Sequence, residues 1–191
     1  MGAARTLTTL ADLARVWDDA AVELVNGELT EKAAPSFEHG DVQSSLAHLI
    51  RTPFARRGGG GMPGGWWIAS EVDVALGADV IRPDLAGWRR ERVPTRPVGR
   101  PVPHRPDWIA EVLSPSTARH DLVVKLRVLQ REGVPHYWML DTEREILTVY
   151  RHNGSEYVVA LVAGSGERVR AEPFDAVELD VTVLFGGEPT E

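Results

Sequence analysis

No cysteine occurs in the 191 residues, which excludes a disulfide framework, a thiolate metal site and a cysteine nucleophile. No uninterrupted apolar run reaches membrane-spanning length, and the opening stretch MGAARTLTTLADLARVW lacks the apolar segment of a secretory signal. A protein of the reducing cytoplasm with no membrane contact is therefore expected. The histidines form no HExxH or other close pair, which argues against histidine-rich zinc chemistry. The glycine-rich stretch GGGGMPGG at 58–65 lacks the GK[ST] ending of a phosphate loop and reads as a flexible connector. Positive charge is in deficit, with a net of −7, and this counts against a broad surface that coats nucleic acid.

Lysine is nearly missing. Of 21 basic residues only Lys32 and Lys125 are not arginine. Arginine serves wherever a fixed positive charge suffices, whereas lysine is a compact point charge whose pKa can be moved. Lys125 therefore hints at a need for that chemistry.

What is present centres on DWIAEVLSPSTARHDLVVK, residues 107–125. Trp108 to Leu113 reads as a strand apolar on both faces except for Glu111, which shares a face with Ile109 and Leu113. Such a strand is covered on both sides, which puts Glu111 in the interior. An interior carboxylate must be protonated, paired with a cation or bound to a metal. Ser114 to Thr117 turns the chain, with Ser116 or Thr117 placed to cap a helix over 118–132. That helix carries Val123, Val124, Leu126, Val128 and Leu129 around most of its circumference, with Lys125 among them.

Upstream, Leu10, Leu13 and Trp17 have helical spacing, and Asn26-Gly27 predicts a two-residue hairpin turn flanked by solvent-facing Glu23 and Glu28. Residues 36–57 read as a helix with Val42, Leu46, Leu49 and Ile50 as its buried stripe, Ser36 as its cap and His39 in its first turn. Residues 66–76 and 80–86 form a strand pair that brings Glu71 or Val72 abreast of Asp84. Between residues 82 and 105 seven arginines face two acids, Asp84 and Glu91. This segment reads either as a loop kept soluble by charge or as one that contacts phosphate. Strands follow at 136–140, 146–151 and 156–162, and Phe174, Leu179, Val181 and Leu184 mark a final edge. Most tryptophans read as core aromatics rather than base-stacking platforms. The whole is a single domain over 1–191, with a core of about 20–185, of α/β or α+β type: a mixed sheet flanked by helices.

The order VELVNGEL, PSFEHG, RPDLAGW, WIAEVLSPSTARHDLVVK and GVPHYWMLD resembles the Uma2 (DUF820) proteins of the PD-(D/E)XK nuclease superfamily. The resemblance covers about residues 20–185. It implies a restriction-endonuclease-like core with an extra N-terminal helix and hairpin. It further implies that Asp84 and Glu111 hold one or two divalent ions and that the superfamily's lysine, absent at Leu113, has moved to Lys125. Leu129 replaces the tyrosine that the family carries one turn after this lysine. Gln130 is an alternative for the polar role, and His39 a supporting residue.

Hydrolysis of a phosphodiester needs an activated water and stabilised phosphate oxygens, both of which Mg²⁺ supplies from a few carboxylate ligands. The metal ligands expected are Asp84, Glu111 and Glu71, with the Val112 carbonyl as a further donor and Mn²⁺ as a substitute ion. Lys125 would orient or deprotonate the water or hold the phosphate. Structural alternatives are an Asp121–Lys125 helix pair and a core Glu111–Lys125 ion pair. Two functions of different class follow. One is a metal-dependent endonuclease acting on DNA, expected as a homodimer because cutting two strands needs two sites. The other is a catalytically weak or inactive nuclease-fold module for binding or assembly.

Overall fold

The computed structural model describes residues 8–16, 21–113 and 118–189, except for the side chains of 118–122. Trp17, the turn over 114–117 and the Asp121–Lys125 pair lie outside what is described. Helix α1 (Leu10–Val16) leads into a hairpin of β1 (Val22–Val25) and β2 (Glu28–Glu31). Its turn puts Asn26 and Gly27 at positive φ, as an Asn-Gly pair permits. Helix α2 (Phe37–Phe54) starts at Ser36, whose hydroxyl accepts from the His39 amide. This cap fixes His39 in the first turn.

The expected strand pair over 66–86 is instead four strands. They are β3 (Trp66–Ser70), β4 (Val74–Leu76), β5 (Asp79–Ile81) and β6 (Leu85–Arg89). The chain changes sheets at Glu71, a non-glycine residue at φ 52. β3 pairs with β6, while β4 and β5 join the hairpin in a four-stranded sheet ordered β2-β1-β5-β4. Next come β7 (Trp108–Leu113), α3 (Ala118–Arg131), β8 (His136–Asp141), β9 (Ile146–His152) and β10 (Tyr157–Gly164). The main sheet has the order β10-β9-β8-β7-β6-β3, parallel only between β7 and β8, which α3 connects. This is the mixed sheet expected. The tail is not a further edge of it: β11 (Arg168–Val169) and β12 (Leu179–Asp180) form a separate ribbon, and α4 (Val181–Leu184) follows.

Alternation along β7 sorts its side chains between two cores. Trp108, Ala110 and Val112 pack under α2 with Leu46, Ile50 and Phe174, whereas Ile109 packs with Val128 and Leu129 of α3. Glu111 shares the second face and is 6% exposed. The helix is less enclosed than its sequence suggests, since Val123 is exposed. Three of the tryptophans, Trp88, Trp108 and Trp138, are fully buried, in keeping with a core role.

The stretch at 58–65 is a compact turn. Gly64 and Gly65 donate to the Pro53 and Arg56 carbonyls, and a Cβ at Gly64 would stand 2.4 Å from the Gly58 nitrogen. The arginine segment is also pinned. Arg82 and Arg100 meet Asp73 at 2.7 and 2.8 Å, and Arg92 meets Asp107 at 2.7 Å. Arg90 lies 3.5 Å over Trp67 and donates to the Trp66 carbonyl. Neither sequence reading of this segment anticipated so many internal partners; these arginines order the approach to β7.

Candidate metal centre

Asp84 sits between the two sheets, buried just before β6. Its Oδ2 accepts from the Val112 amide of β7 at 2.7 Å, which fixes the carboxylate and aims Oδ1 away from β7. At this site Val112 contributes its amide. Three groups gather around Oδ1. The Lys32 ammonium is 2.7 Å away, and His39 Nε2 is 3.3 Å away in a charge contact. Glu71 comes alongside because its amide donates to the Asp84 carbonyl and its backbone turns left-handed, a conformation uncommon for residues with a Cβ. Its carboxylate meets Lys32 at 2.9 Å and the Gln43 amide at 3.0 Å. Ligand atoms of His39, Glu71 and Asp84 all lie within 4.8 Å of one another.

Beside this triad runs a second network. Lys125, nearly buried on α3, lies 3.2 Å from Glu111 and 2.9 Å from Glu23. Glu23 is buried, contrary to the solvent-facing position expected for it, and its Oε1 also accepts from the Arg82 amide at 2.7 Å. Joining β1 to β5 against the face of α3 turned it inward. Glu28, at the other side of the turn, is exposed as expected. A cavity of about 230 Å³ opens here, lined by Glu23, Asn26, Glu28 and Lys125 among others.

The structure thus brings together Asp84, Glu71 and His39 around one point, and Glu111 with Lys125 beside them. Gln130 stands elsewhere. Its carbonyl contacts His152, and it lines a separate cavity with Arg105 and Arg127. The amide at the site belongs to Gln43, which donates to Glu71 and to the Asp84 carbonyl. Sequence reasoning missed Lys32, Gln43 and the buried role of Glu23. The lysine scarcity held the signal: both lysines lie here, although the strand and helix pattern points only to Lys125.

Four carboxylates (Glu23, Glu71, Asp84 and Glu111) share two ammonium groups and one imidazole. Burial acts on each member differently. It works to raise Asp84, but the His39 and Lys32 contacts prevail and hold that carboxyl well below the usual range. Burial opposes charge on His39 too, yet its contact with Asp84 is stronger and raises the imidazole's pKa. For Glu111 burial wins over the attraction of Lys125 and pushes the carboxyl up to about 7 from an ordinary 4.5. The folded protein then binds more protons at Glu111 than the unfolded chain does between those values. Stability contributed by this group is full below pH 4.5 and falls as pH rises toward 7. Urea unfolding across about pH 4–8 should show that slope, and Glu111→Gln should flatten it. An unchanged slope in the variant would assign the pH dependence to other groups.

Donor chemistry fits a divalent ion. Two carboxylates and an imidazole converge, the charge balance is negative, and the buried His39 Nε2 faces Asp84 Oδ1 at 3.3 Å.

Known proteins resemble the chain in both sequence and fold. The Uma2 family model, described as "Putative restriction endonuclease", matches residues 9–182. A solved structure from Anabaena variabilis, titled as "a putative nuclease belonging to DUF820", shares the fold. It superposes with a TM-score of 0.70 at 20% identity, covering 86% of this chain and 89% of the other. No curated protein matches the chain.

Proposed function

Since this chain belongs to the Uma2 family, a nuclease-like family by description, we propose that it is a divalent-metal-dependent endonuclease that hydrolyses DNA phosphodiester bonds. The observation that carries the proposal is the convergence of the buried Asp84 and His39 with the exposed Glu71, next to Glu111 and Lys125. Mg²⁺, with Mn²⁺ as a substitute, would be held by Asp84 and Glu71, with His39 and Glu111 adjoining. When bound it supplies Lewis acidity toward a phosphate oxygen and a lowered pKa for water.

The residues of the chain do the rest. The Val112 amide keeps Asp84 oriented, and Glu23 and Glu111 hold the Lys125 ammonium in place, with its pKa raised by these acids against the effect of burial. An ammonium so held stays charged at neutral pH, which suits it to stabilising phosphate charge rather than accepting a proton. Glu111, in contact with Lys125, would complete the acid set beside the ion. We further propose one domain over the whole chain and, because duplex cleavage needs two such sites, a homodimer acting in the cytoplasm. Among the described residues no helix is long and apolar enough to cross a membrane.

One observation favours the second reading, a nuclease-fold binding module without turnover: Lys32 already neutralises part of the acid cluster. Incubation of supercoiled plasmid with the wild type in Mg²⁺ or Mn²⁺, with EDTA as control, separates the two. Metal-dependent nicking is expected. Intact plasmid across metals and substrates would overturn the enzymatic reading.

A further inference from the structure

The Lys32 ammonium does what a cation bound at this site would do. It contacts Asp84 Oδ1 at 2.7 Å, Glu71 Oε2 and Oε1 at 2.9 and 3.0 Å, and the Arg82 carbonyl at 3.1 Å. Four oxygens around one small positive centre resemble the oxygen shell of a hard metal ion, at the longer distances set by N–H donors. Two of the three groups that converge as metal ligands are therefore engaged by Lys32. An ammonium and a divalent ion cannot share those oxygens at close range, because like charges in a buried setting repel strongly.

The residue is also built to leave. Its backbone follows the exposed strand β2, anchored by the Lys32 amide on the Ala21 carbonyl, and its side chain is 16% exposed on a flexible four-carbon stem. Lys125, by contrast, is fixed between two acids on a packed helix.

We infer that Lys32 is a resident cation of the acid cluster: it holds Asp84 and Glu71 together in the metal-free protein and swings out when a divalent ion enters, so that it sets the metal affinity of the site. The inference rests on the metal-dependent reading above. It goes further in naming a residue that opposes the ion rather than binding it. Replacing Lys32 by an uncharged residue removes the competitor, so the ion should bind about tenfold more tightly or better, a gain typical of removing one close unfavourable charge.

Two measurements test it. Because the chain has two lysines, lysine labelled with ¹³C at Cε gives two side-chain signals in the wild-type protein. On titration with Mg²⁺, the Lys32 signal should move to the position of a solvent-exposed lysine, while that of Lys125 stays near its starting position. In parallel, Mn²⁺ affinity is measured by calorimetry for the wild type, Lys32→Met and Lys32→Gln. Tighter binding in the variants supports the inference, whereas binding by the variants alone overturns it, because Lys32 would then exclude the ion rather than yield to it. Binding by the wild type with the Lys32 signal unmoved, or variants that bind no more tightly, overturns it and leaves the metal site standing. No binding by any of the three proteins, with neither signal moving, overturns the metal reading and this inference together. The labelled wild type settles the question even where a variant does not fold.

Discussion

An Asp84→Asn protein should remain folded, lose Mn²⁺ binding and cleave duplex DNA about a thousandfold more slowly than the wild type, which corresponds to roughly 4 kcal/mol of lost transition-state stabilisation. The reason lies in how the carboxylate is used. One oxygen is spent on the Val112 amide and the other faces Lys32 and His39, so the charge of Asp84 is delivered at a single point. Asparagine keeps the shape but must turn its NH₂ toward one of two donors. That mismatch costs about 1–3 kcal/mol of stability, well short of unfolding a domain of ordinary stability. Alanine would be a poorer test, because a buried ammonium left without its partner costs about 3–5 kcal/mol.

The sign of the acid response follows as well. The folded pKa of Asp84 is depressed, so its contribution to stability is full above the ordinary carboxylate range and is lost as pH falls through the folded value. Asp84→Asn should remove that part of the acid sensitivity. Circular dichroism, Mn²⁺ calorimetry and plasmid nicking on the same preparation decide the matter. A folded variant that still binds the ion and cuts at the wild-type rate would sink the role given to Asp84.

Lys125→Met should be the most destabilising single change in the network, by about 3–5 kcal/mol at pH 8, because it leaves Glu23 and Glu111 buried without their shared cation. The folded pKa of Lys125 is raised, so the wild-type contribution is full below its ordinary value of 10.5 and is lost only as pH rises through the folded one. Across about pH 5–8 the ammonium itself therefore adds no slope. The Glu111 slope already present in the wild type should extend to higher pH in the variant, since Glu111 without its neighbour is harder still to ionise. Restoring neutrality with Glu111→Gln in the same chain should recover a good part of the loss. A double-mutant cycle by urea unfolding measures that coupling. Additive losses would mean that the two side chains are independent despite standing 3.2 Å apart.

How much of this could be read from the chain depended on the range of the signal. The β7–turn–α3 unit was legible because alternation in WIAEVL and the helical spacing after it are local patterns. They placed Glu111 inside and Lys125 over it. Asn26-Gly27 and Ser36 likewise declared a turn and a cap through chemistry confined to a few residues. Glu71 or Val72 was placed abreast of Asp84 from the length of the intervening loop, yet the change of sheets at Glu71 was hidden. A glutamate at positive φ has no sequence signature of the kind that glycine provides. Glu23 was misplaced because hairpin alternation says which residues share a face but not which face meets α3. That is decided by the Leu24–Val80 pairing between β1 and β5, a contact over a long stretch of chain. Lys32 was invisible for the same reason: its partners, Glu71, Arg82 and Asp84, are distant in sequence and near only after both sheets form.

The hairpin that carries Glu23 and Lys32 is made early by the ribosome, whereas Lys125 and the strand bearing Glu111 emerge much later. Until they do, the first half of the network has surplus acid and no means of closing. A chain ended before β7 has Lys32, His39, Glu71 and Asp84 but lacks the Val112 amide that orients Asp84 and the Lys125 ammonium that meets Glu23.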